Sequence, residues 1–409
     1  MEKICYNIRV YKKLRKYEKM ISIALLGFGC VGSGTAEVLT ENKKIIEERL
    51  GCEYQIKYIL DLRDFPDSPF GKLVVHDFNT ILNDSEVTIV AEMMGGSHPA
   101  YDFTKACLEA GKSVITSNKE VVAKFGVELG EIAAKSGARY MFEASVGGGI
   151  PLIRPMMVDL ASNKINKING ILNGTTNYII TSMRDAGVSF EDALREAQRL
   201  GYAEANPEAD VEGIDAARKA VILGAVSTGK LISPASIHRE GITKITLSDV
   251  ALARKLGYEI KLIGYVEDID GKIMCFVSPM AVPASNPLAR IDGVFNGVLI
   301  NANMVGEVMF YGPGAGKLPT ASAVVADIVD VIAKRSTEAT PLGWVAASES
   351  DVADFAEFSC IRMVVTKNAR EGAVEADGAY AYISDAMTES AADALKASDD
   401  SIVAIYRML

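Results

Sequence analysis

Three charged side chains, Asp215, Arg218 and Lys219, persist where the chain is otherwise losing its charge. "GYAEANPEADVEGIDAARKA" (201–220) holds five carboxylates in its first fifteen positions, then enters alanine and aliphatic residues. Asp215 and Lys219 are four apart, so on a helix they share one face in the favourable carboxylate-first order. Residues 216–226, "AARKAVILGAV", are apolar on nearly every side except at Arg218 and Lys219, and a helix apolar all round is buried. A lysine placed there loses solvent, which lowers its pKa, while Asp215 raises it. That balance can make an ammonium a usable proton donor near neutral pH. The pattern leaves three readings open: acid–base catalysis, a buried structural pair, or a surface pair worth ~0.2–0.5 kcal/mol.

A second group of residues suits phosphate binding. "GFGCVG" (Gly27, Phe28, Gly29, Cys30, Val31, Gly32) follows an apolar run and opens a helical pattern. Glycines in that spacing permit a tight turn and let a pyrophosphate approach the free N–H groups of the helix start. The acidic residue expected after the next strand is Asp61, later than usual because the first helical region is long. Asp61 suits the ribose hydroxyl of NAD, whereas Arg63 suits the 2′-phosphate of NADP or is a solvated charge. Lys119, in "VITSNKEVVAKFG", follows a strand end beside a helix start, where the dipole does not favour a cation. Function and a surface cap are both open for it. Glu143 precedes three glycines in "FEASVGGGIPLIRP" and could join backbone carbonyls around a hard monovalent cation, or simply open a hinge. "GPGAGKLPT" has Leu318 where a phosphate-binding loop needs Ser or Thr, so nucleoside triphosphate binding is not expected there.

The elements that must carry these groups follow from the hydrophobic rhythm. Up to residue 150, apolar runs such as "ISIALL", "YQIKYILDL", "EVTIVAEMM", "SVITSN" and "ARYMFEAS" alternate with helical stretches. This predicts an α/β unit, a Rossmann-type doubly wound parallel sheet over 20–150, completed by about 312–340. Residues 151–311, which carry the Asp215–Lys219 candidates, predict a second, α+β domain with an antiparallel sheet. Residues 350–409 predict a separate small α+β module. The basic residues 1–19 read as a disordered extension before the first strand.

The chain has 409 residues, 49% of them hydrophobic and 23% charged, which suits two or three ordinary globular domains. A net charge of −10 disfavours nucleic acid and anionic membranes. Six cysteines without a CxxC pair read as reduced thiols of a cytoplasmic protein, and three histidines leave little for a histidine-based triad. A phosphorylating semialdehyde dehydrogenase would need an activated cysteine paired with a histidine. A dinucleotide-sensing regulatory protein would need the glycine turn but not Glu204, Asp215 and Lys219.

Taken in order, "GFGCVG", "MMGG", "TSNKEVVA", "EASVGGGIP", "NGILNGTTNYI", "GYAEANPEADVEGIDAARKAVIL" and "GPGAGKLPTASAVVADI" resemble homoserine dehydrogenase from residue 20 to about 340. The resemblance implies reversible reduction of L-aspartate 4-semialdehyde to L-homoserine with NADH or NADPH, in threonine, methionine and isoleucine biosynthesis. It implies Lys219 as proton donor and acceptor, Lys119 between nicotinamide and substrate, and Glu204 and Asp215 on the substrate, with Gly201 beside them. Phe28, Cys30, Val31, Gly95, Ser117 and Gly314 would border the cofactor. A sodium-like ion would lie on Glu143 and the backbone of Val146, Gly148 and Ile150, and residues 151–311 would be a substrate-binding and dimerisation domain whose sheets pair into a homodimer. The last segment resembles a shortened ACT-type module. Its intervening helix and strand are missing and "TKNAREGA" lacks the Pro–Gly turn of an effector loop, so threonine feedback through it is not expected.

Overall fold

The computed structural model describes residues 20–409; the expected extension at 1–19 lies outside the described residues. The chain forms two compact units, one of residues up to Pro151 with Ala315–Trp344, the other of Leu152–Gly314 with Val345–Leu409.

In the first unit, β1 (Ile21–Leu26), β2 (Tyr54–Leu60), β3 (Val74–Val75), β4 (Val87–Glu92), β5 (Ser113–Thr116) and β6 (Tyr140–Met141) form a six-stranded sheet in the order β3-β2-β1-β4-β5-β6. All its ladders are parallel. The order reverses between β1 and β4, and the crevice outside the strand ends there is where ligands of such sheets bind. Its helices are α1 (Cys30–Glu41), α2 (Lys43–Leu50), α3 (Phe78–Leu82), α4 (Ala100–Glu109) and α5 (Lys119–Ser136), with the late helix α11 (Lys317–Ala333). Ile23, Leu25, Ala36, Leu39, Val324 and Ile328 meet in one core, which is how a segment from beyond residue 315 completes this unit.

Two local expectations change. The polar helical region before β2 is two helices that part at Asn42, which leaves the helical conformation at ψ 10°. The strand expected over "ARYMFEAS" stops at Met141, because the Glu143 N–H turns to the Asp327 carboxylate (2.9 Å).

The second unit contains β7 (Ile165–Ile171), α6 (Gly174–Ala186), α7 (Phe190–Arg199), α8 (Glu208–Val211), α9 (Ile214–Thr228) and α10 (Leu247–Lys255). The long hairpin β10 (Tyr258–Ile269) and β11 (Lys272–Pro283) is followed by β12 (Phe295–Ala302) and β13 (Gly306–Pro313). Short strands β8 (Lys230–Leu231) and β14 (Val345–Ala346) pair with each other, and β9 (His238–Arg239) joins β11. The final segment supplies β15 (Ser359–Cys360), β16 (Arg362–Thr366), β17 (Val374–Ala376), β18 (Ala379–Ile383), β19 (Met387–Thr388), α12 (Glu389–Ser398) and β20 (Ile402–Met408).

The sheet order is β13-β12-β7-β10-β11-β20-β16-β18-β17, antiparallel except where β11 meets β20 and β9. The sequence predicts a separate carboxy-terminal module. The strands after 350 instead extend the second unit's sheet, because β20 lies along β11 at Met280 and Ala281. Phe276 meets the Phe358 ring at 5.0 Å, so the segment just before β15 joins the hydrophobic core of the second unit. The strand missing from the sequence reading is also partly present, as β17 paired with β18. No described helix is long and apolar enough to cross a membrane.

Candidate active site

The lysine of interest is positioned by a strand end and two helix starts. Past β7 the chain turns at Asn173, whose Oδ1 accepts the Thr176 N–H (2.9 Å) and caps α6. Asparagine serves here because a short side-chain oxygen can satisfy an orphan N–H of the first turn. Its Nδ2 points the other way and donates to Asp210 Oδ1 (2.7 Å) and Asp215 Oδ2 (2.9 Å). Asp215 occupies the first turn of α9, where the helix dipole favours an anion. One turn on, Lys219 Nζ donates to Asp215 Oδ2 (2.6 Å) and to the Leu172 carbonyl (2.7 Å). The two side chains are only 10% and 7% exposed, so the surface-pair reading is excluded.

Glu204 and Gly201 stand differently. Both lie on the exposed turn after α7. Glu204 accepts through its backbone carbonyl from Gln198 Nε2 (3.1 Å).

At the other candidate site, β1 runs into Gly27, whose φ of +89° admits few side chains. A Cβ on Gly32 would lie 2.0 Å from the Gly27 carbonyl, so the helix can begin this close to the strand only on glycine. Gly29 precedes α1 with no side-chain cap, and a Cβ there would meet nothing within 4 Å, which leaves open space at the helix start. Cys30 is exposed and Val31 half-buried beside it. Phe28 differs from its neighbours: its ring is buried edge-on against Phe65 (5.0 Å), so only its backbone can border a ligand.

The Phe28 N–H donates to Asp61 Oδ2 (2.9 Å). Arg63 adds Nε to Asp61 Oδ1 (2.9 Å) and Nη2 to Oδ2 (3.0 Å), and the bidentate guanidinium holds this carboxyl well below the usual carboxylate range. The Arg63 side chain stays 64% exposed. The two residues that point to different cofactors are thus bonded to each other.

Gly95 lies on the exposed loop after β4, and Ser117 and Lys119 at the turn from β5 to α5. Between them lies a residue that the sequence reading passed over. Glu92 is wholly buried, and burial pushes its carboxyl up from 4.5 to about 7 against hydrogen bonds from Thr116, Met94 and Asn118. Asn173 carries a recognisable cap signal, an asparagine between a strand and a helix, but nothing local in the sequence reveals its bond to Asp215.

Glu143 is buried in a single turn, Glu143–Ser145, and Val146, Gly148 and Ile150 follow it through two positive-φ glycines. Among the described residues no three His, Cys, Asp or Glu side chains converge as a metal set. Gly314 ends the second unit's continuous stretch, beside the buried Asn296 side chain. The cysteine-based alternative loses ground because burial pushes the thiols of Cys107 and Cys275 up to about 12.

Comparison with known proteins bears on both units. A family model described as homoserine dehydrogenase matches residues 151–329, and one described as its NAD-binding domain matches residues 27–143. The chain is 43% identical over 316 residues to homoserine dehydrogenase of Neisseria gonorrhoeae, covering 76% of this chain and 72% of the relative. It is 40% identical over 326 residues to that of Lactococcus lactis, covering 78% and 76%. Its structure is similar to that of a homoserine dehydrogenase from Thiobacillus denitrificans, with TM-score 0.85, 34% identity and coverage of 96% and 98%. It is also similar to a hyperthermophilic archaeal homoserine dehydrogenase in complex with NADPH, with TM-score 0.66, 29% identity and coverage of 78% and 99%.

Proposed function

The chain belongs to the homoserine dehydrogenase family, and on that premise we propose that Lys219 is the proton donor and acceptor of its reaction, with Asp215 and Asn173 holding it in place. The reaction is the reversible, NAD(P)-dependent interconversion of L-aspartate 4-semialdehyde and L-homoserine. Its product would feed threonine, methionine and isoleucine synthesis in the cytoplasm.

The observation that carries the proposal is the buried Lys219–Asp215–Asn173 chain ending on the Leu172 carbonyl. A buried ion pair costs desolvation that its own attraction barely offsets, so α9 would be at least as stable with an apolar pair. Retention of the pair fits chemistry better than stability. In the reductive direction the aldehyde oxygen gains negative charge, and the Lys219 ammonium gives it a proton. In the oxidative direction the neutral amine takes the hydroxyl proton. Asp215, acceptor-only when ionised, stabilises the ammonium and aims it, and Asn173 fixes the aspartate. On the second unit the exposed Glu204 and Gly201 would bind the substrate, and on the first Lys119 would serve the nicotinamide end of the cofactor. The glycine turn fits a dinucleotide because it offers a helix start with no side chain over it. A dinucleotide whose pyrophosphate rested on that turn would supply the hydride for the carbonyl carbon.

Arg63 is the group proposed to meet a 2′-phosphate, since the bonds to Asp61 leave its side chain largely exposed. Asp61, already saturated by donors, acts chiefly as the anchor of the Phe28 turn, so the chain takes NADP(H) and tolerates NAD(H). A sodium-like ion is proposed on Glu143 and the carbonyls of Val146, Gly148 and Ile150. One buried carboxylate with backbone oxygens is a hard, low-charge donor set that suits it. A homodimer is proposed through the edge strand β13, which exposes Met309 and Tyr311 beside Phe295. The deciding experiment measures homoserine oxidation with NAD+ and NADP+ in the wild type and Lys219→Ala. Equal rates in the two proteins would overturn the acid–base assignment.

A further inference from the structure

The loops after β4 and β5 are joined through two buried side chains, Glu92 and Asn118, and the groups bonded to the Glu92 carboxyl are donors. Glu92, the last residue of β4, is 0% exposed. Its Oε1 accepts the Met94 N–H (2.7 Å) and its Oε2 accepts the Thr116 hydroxyl (2.6 Å). Its backbone carbonyl accepts the Ser117 N–H (3.2 Å). Thr116 Oγ1 in turn accepts the Asn118 N–H (2.9 Å). Asn118 Nδ2 closes the ring by donating to the carbonyls of Met94 (3.3 Å) and Gly96 (2.8 Å), while its Oδ1 caps α5.

Burying a carboxylate is costly, so its presence at full burial asks for a reason. The donors give one: the Met94 N–H on the loop after β4 can only donate, and the Thr116 hydroxyl at the end of β5, which already accepts the Asn118 N–H, gives its proton to the other oxygen. A carboxylate is acceptor-only at both oxygens, whereas an amide offers a donor on one side. The same loop also backs onto the glycine turn, since a Cβ on Gly27 would lie 3.0 Å from Met94 Cγ.

We propose that Glu92 is a positioning residue that sets the 93–96 loop against the 117–119 turn and so fixes the groups that orient the nicotinamide end of the cofactor. The proposal rests on the reading that Gly95, Ser117 and Lys119 border the cofactor. Glu92 itself touches no reacting atom; it acts through Met94, Thr116 and Asn118.

The test is cofactor affinity, read by quenching or energy transfer of bound NAD(P)H, together with the Michaelis constants. Glu92→Gln keeps the volume and one acceptor but presents a donor to the other loop. It is expected to raise the Kd for NAD(P)H roughly ten-fold, the loss of one hydrogen bond to a charged group, while the KM for homoserine moves less than about two-fold. Thr116→Val, which removes the hydroxyl at constant shape, is expected to weaken cofactor binding similarly. The double variant should be no worse than Glu92→Gln alone, since both break one link. A lowered melting temperature with unchanged Kd in both single variants would overturn the proposal in favour of a purely structural role. Gly95→Ala separates the premise from the inference, because a Cβ there meets nothing within 4 Å of the protein and would intrude only on a ligand. If Gly95→Ala also leaves Kd unchanged, the loops do not border the cofactor and the proposal falls with its premise.

Discussion

Lys219 Nζ lies 2.6 Å from Asp215 Oδ2, one helical turn away, with both side chains at least nine-tenths buried. The pair is held at both ends. Asn173 grips the aspartate, and the Leu172 carbonyl takes a second proton of the ammonium. Such a group has its direction fixed before substrate arrives, as general acid–base catalysis requires.

Replacing Lys219 should therefore abolish chemistry without unfolding the protein. Lys219→Ala is expected to lower kcat by about 10²–10⁴-fold, the usual range for a general acid–base group. Lys219→Arg should fare little better, because a guanidinium cannot release its proton near neutral pH. Steady-state rates beside circular dichroism spectra check both; near-normal turnover in the arginine variant would count against the assignment.

Asn173→Ser tests the support of the pair separately from the helix cap. Serine still offers a capping oxygen, so the stability cost should stay within about 1 kcal/mol. It has no amide to reach Asp215. We expect kcat/KM for homoserine to fall at least ten-fold, about what loss of a hydrogen bond to a charged group implies, with little change in melting temperature.

Arg63→Ala should change cofactor choice. Losing a charge-assisted contact to a 2′-phosphate is expected to raise the KM for NADPH about ten-fold, and that for NADH much less. Because the bidentate bond to Asp61 also goes, a parallel rise for both cofactors would mean that Arg63 serves the Phe28 turn and not the phosphate.

Glu92 gives a pH dependence with a definite sign. Its carboxyl, pushed up to about 7 by burial, binds its proton more tightly in the folded chain than in the unfolded one, where about 4.5 applies. Its contribution is most favourable below 4.5 and is lost as pH rises to about 7. The phenol of Tyr140, on β6, is buried near it and is itself pushed well up. In Glu92→Gln this dependence disappears. The wild-type melting temperature should lose ground to the variant between pH 5 and 7, roughly the titration window, and a constant difference over that interval would refute the shift.

The proposed homodimer is expected to pair through the edge strand β13. Met309→Lys places a charge on the exposed edge, where an unpaired strand otherwise invites pairing with another chain. Light scattering is expected to report a monomer for the variant and a dimer for the wild type; a monomeric wild type would end the proposal.

Much of this molecule follows from local pattern. The alternation of apolar runs with helical stretches up to residue 150 is enough for a parallel sheet, and the spacing of Gly27, Gly29 and Gly32 marks a tight strand-to-helix turn, because both depend on near neighbours in the chain. The four-residue interval between Asp215 and Lys219, within a helix apolar on nearly every side, likewise reveals a shared face and its burial. Periodicity carries no information about partners distant in sequence. Asp61 reaches back to the Phe28 N–H, Asn173 joins Asp210 and Asp215 to a helix cap, and Glu92 links two loops across β4 and β5. Only tertiary structure decides such bonds, since each depends on which strand ends are brought side by side. The same holds for the carboxy-terminal strands, which have the rhythm of a separate module yet hydrogen-bond into the second unit's sheet.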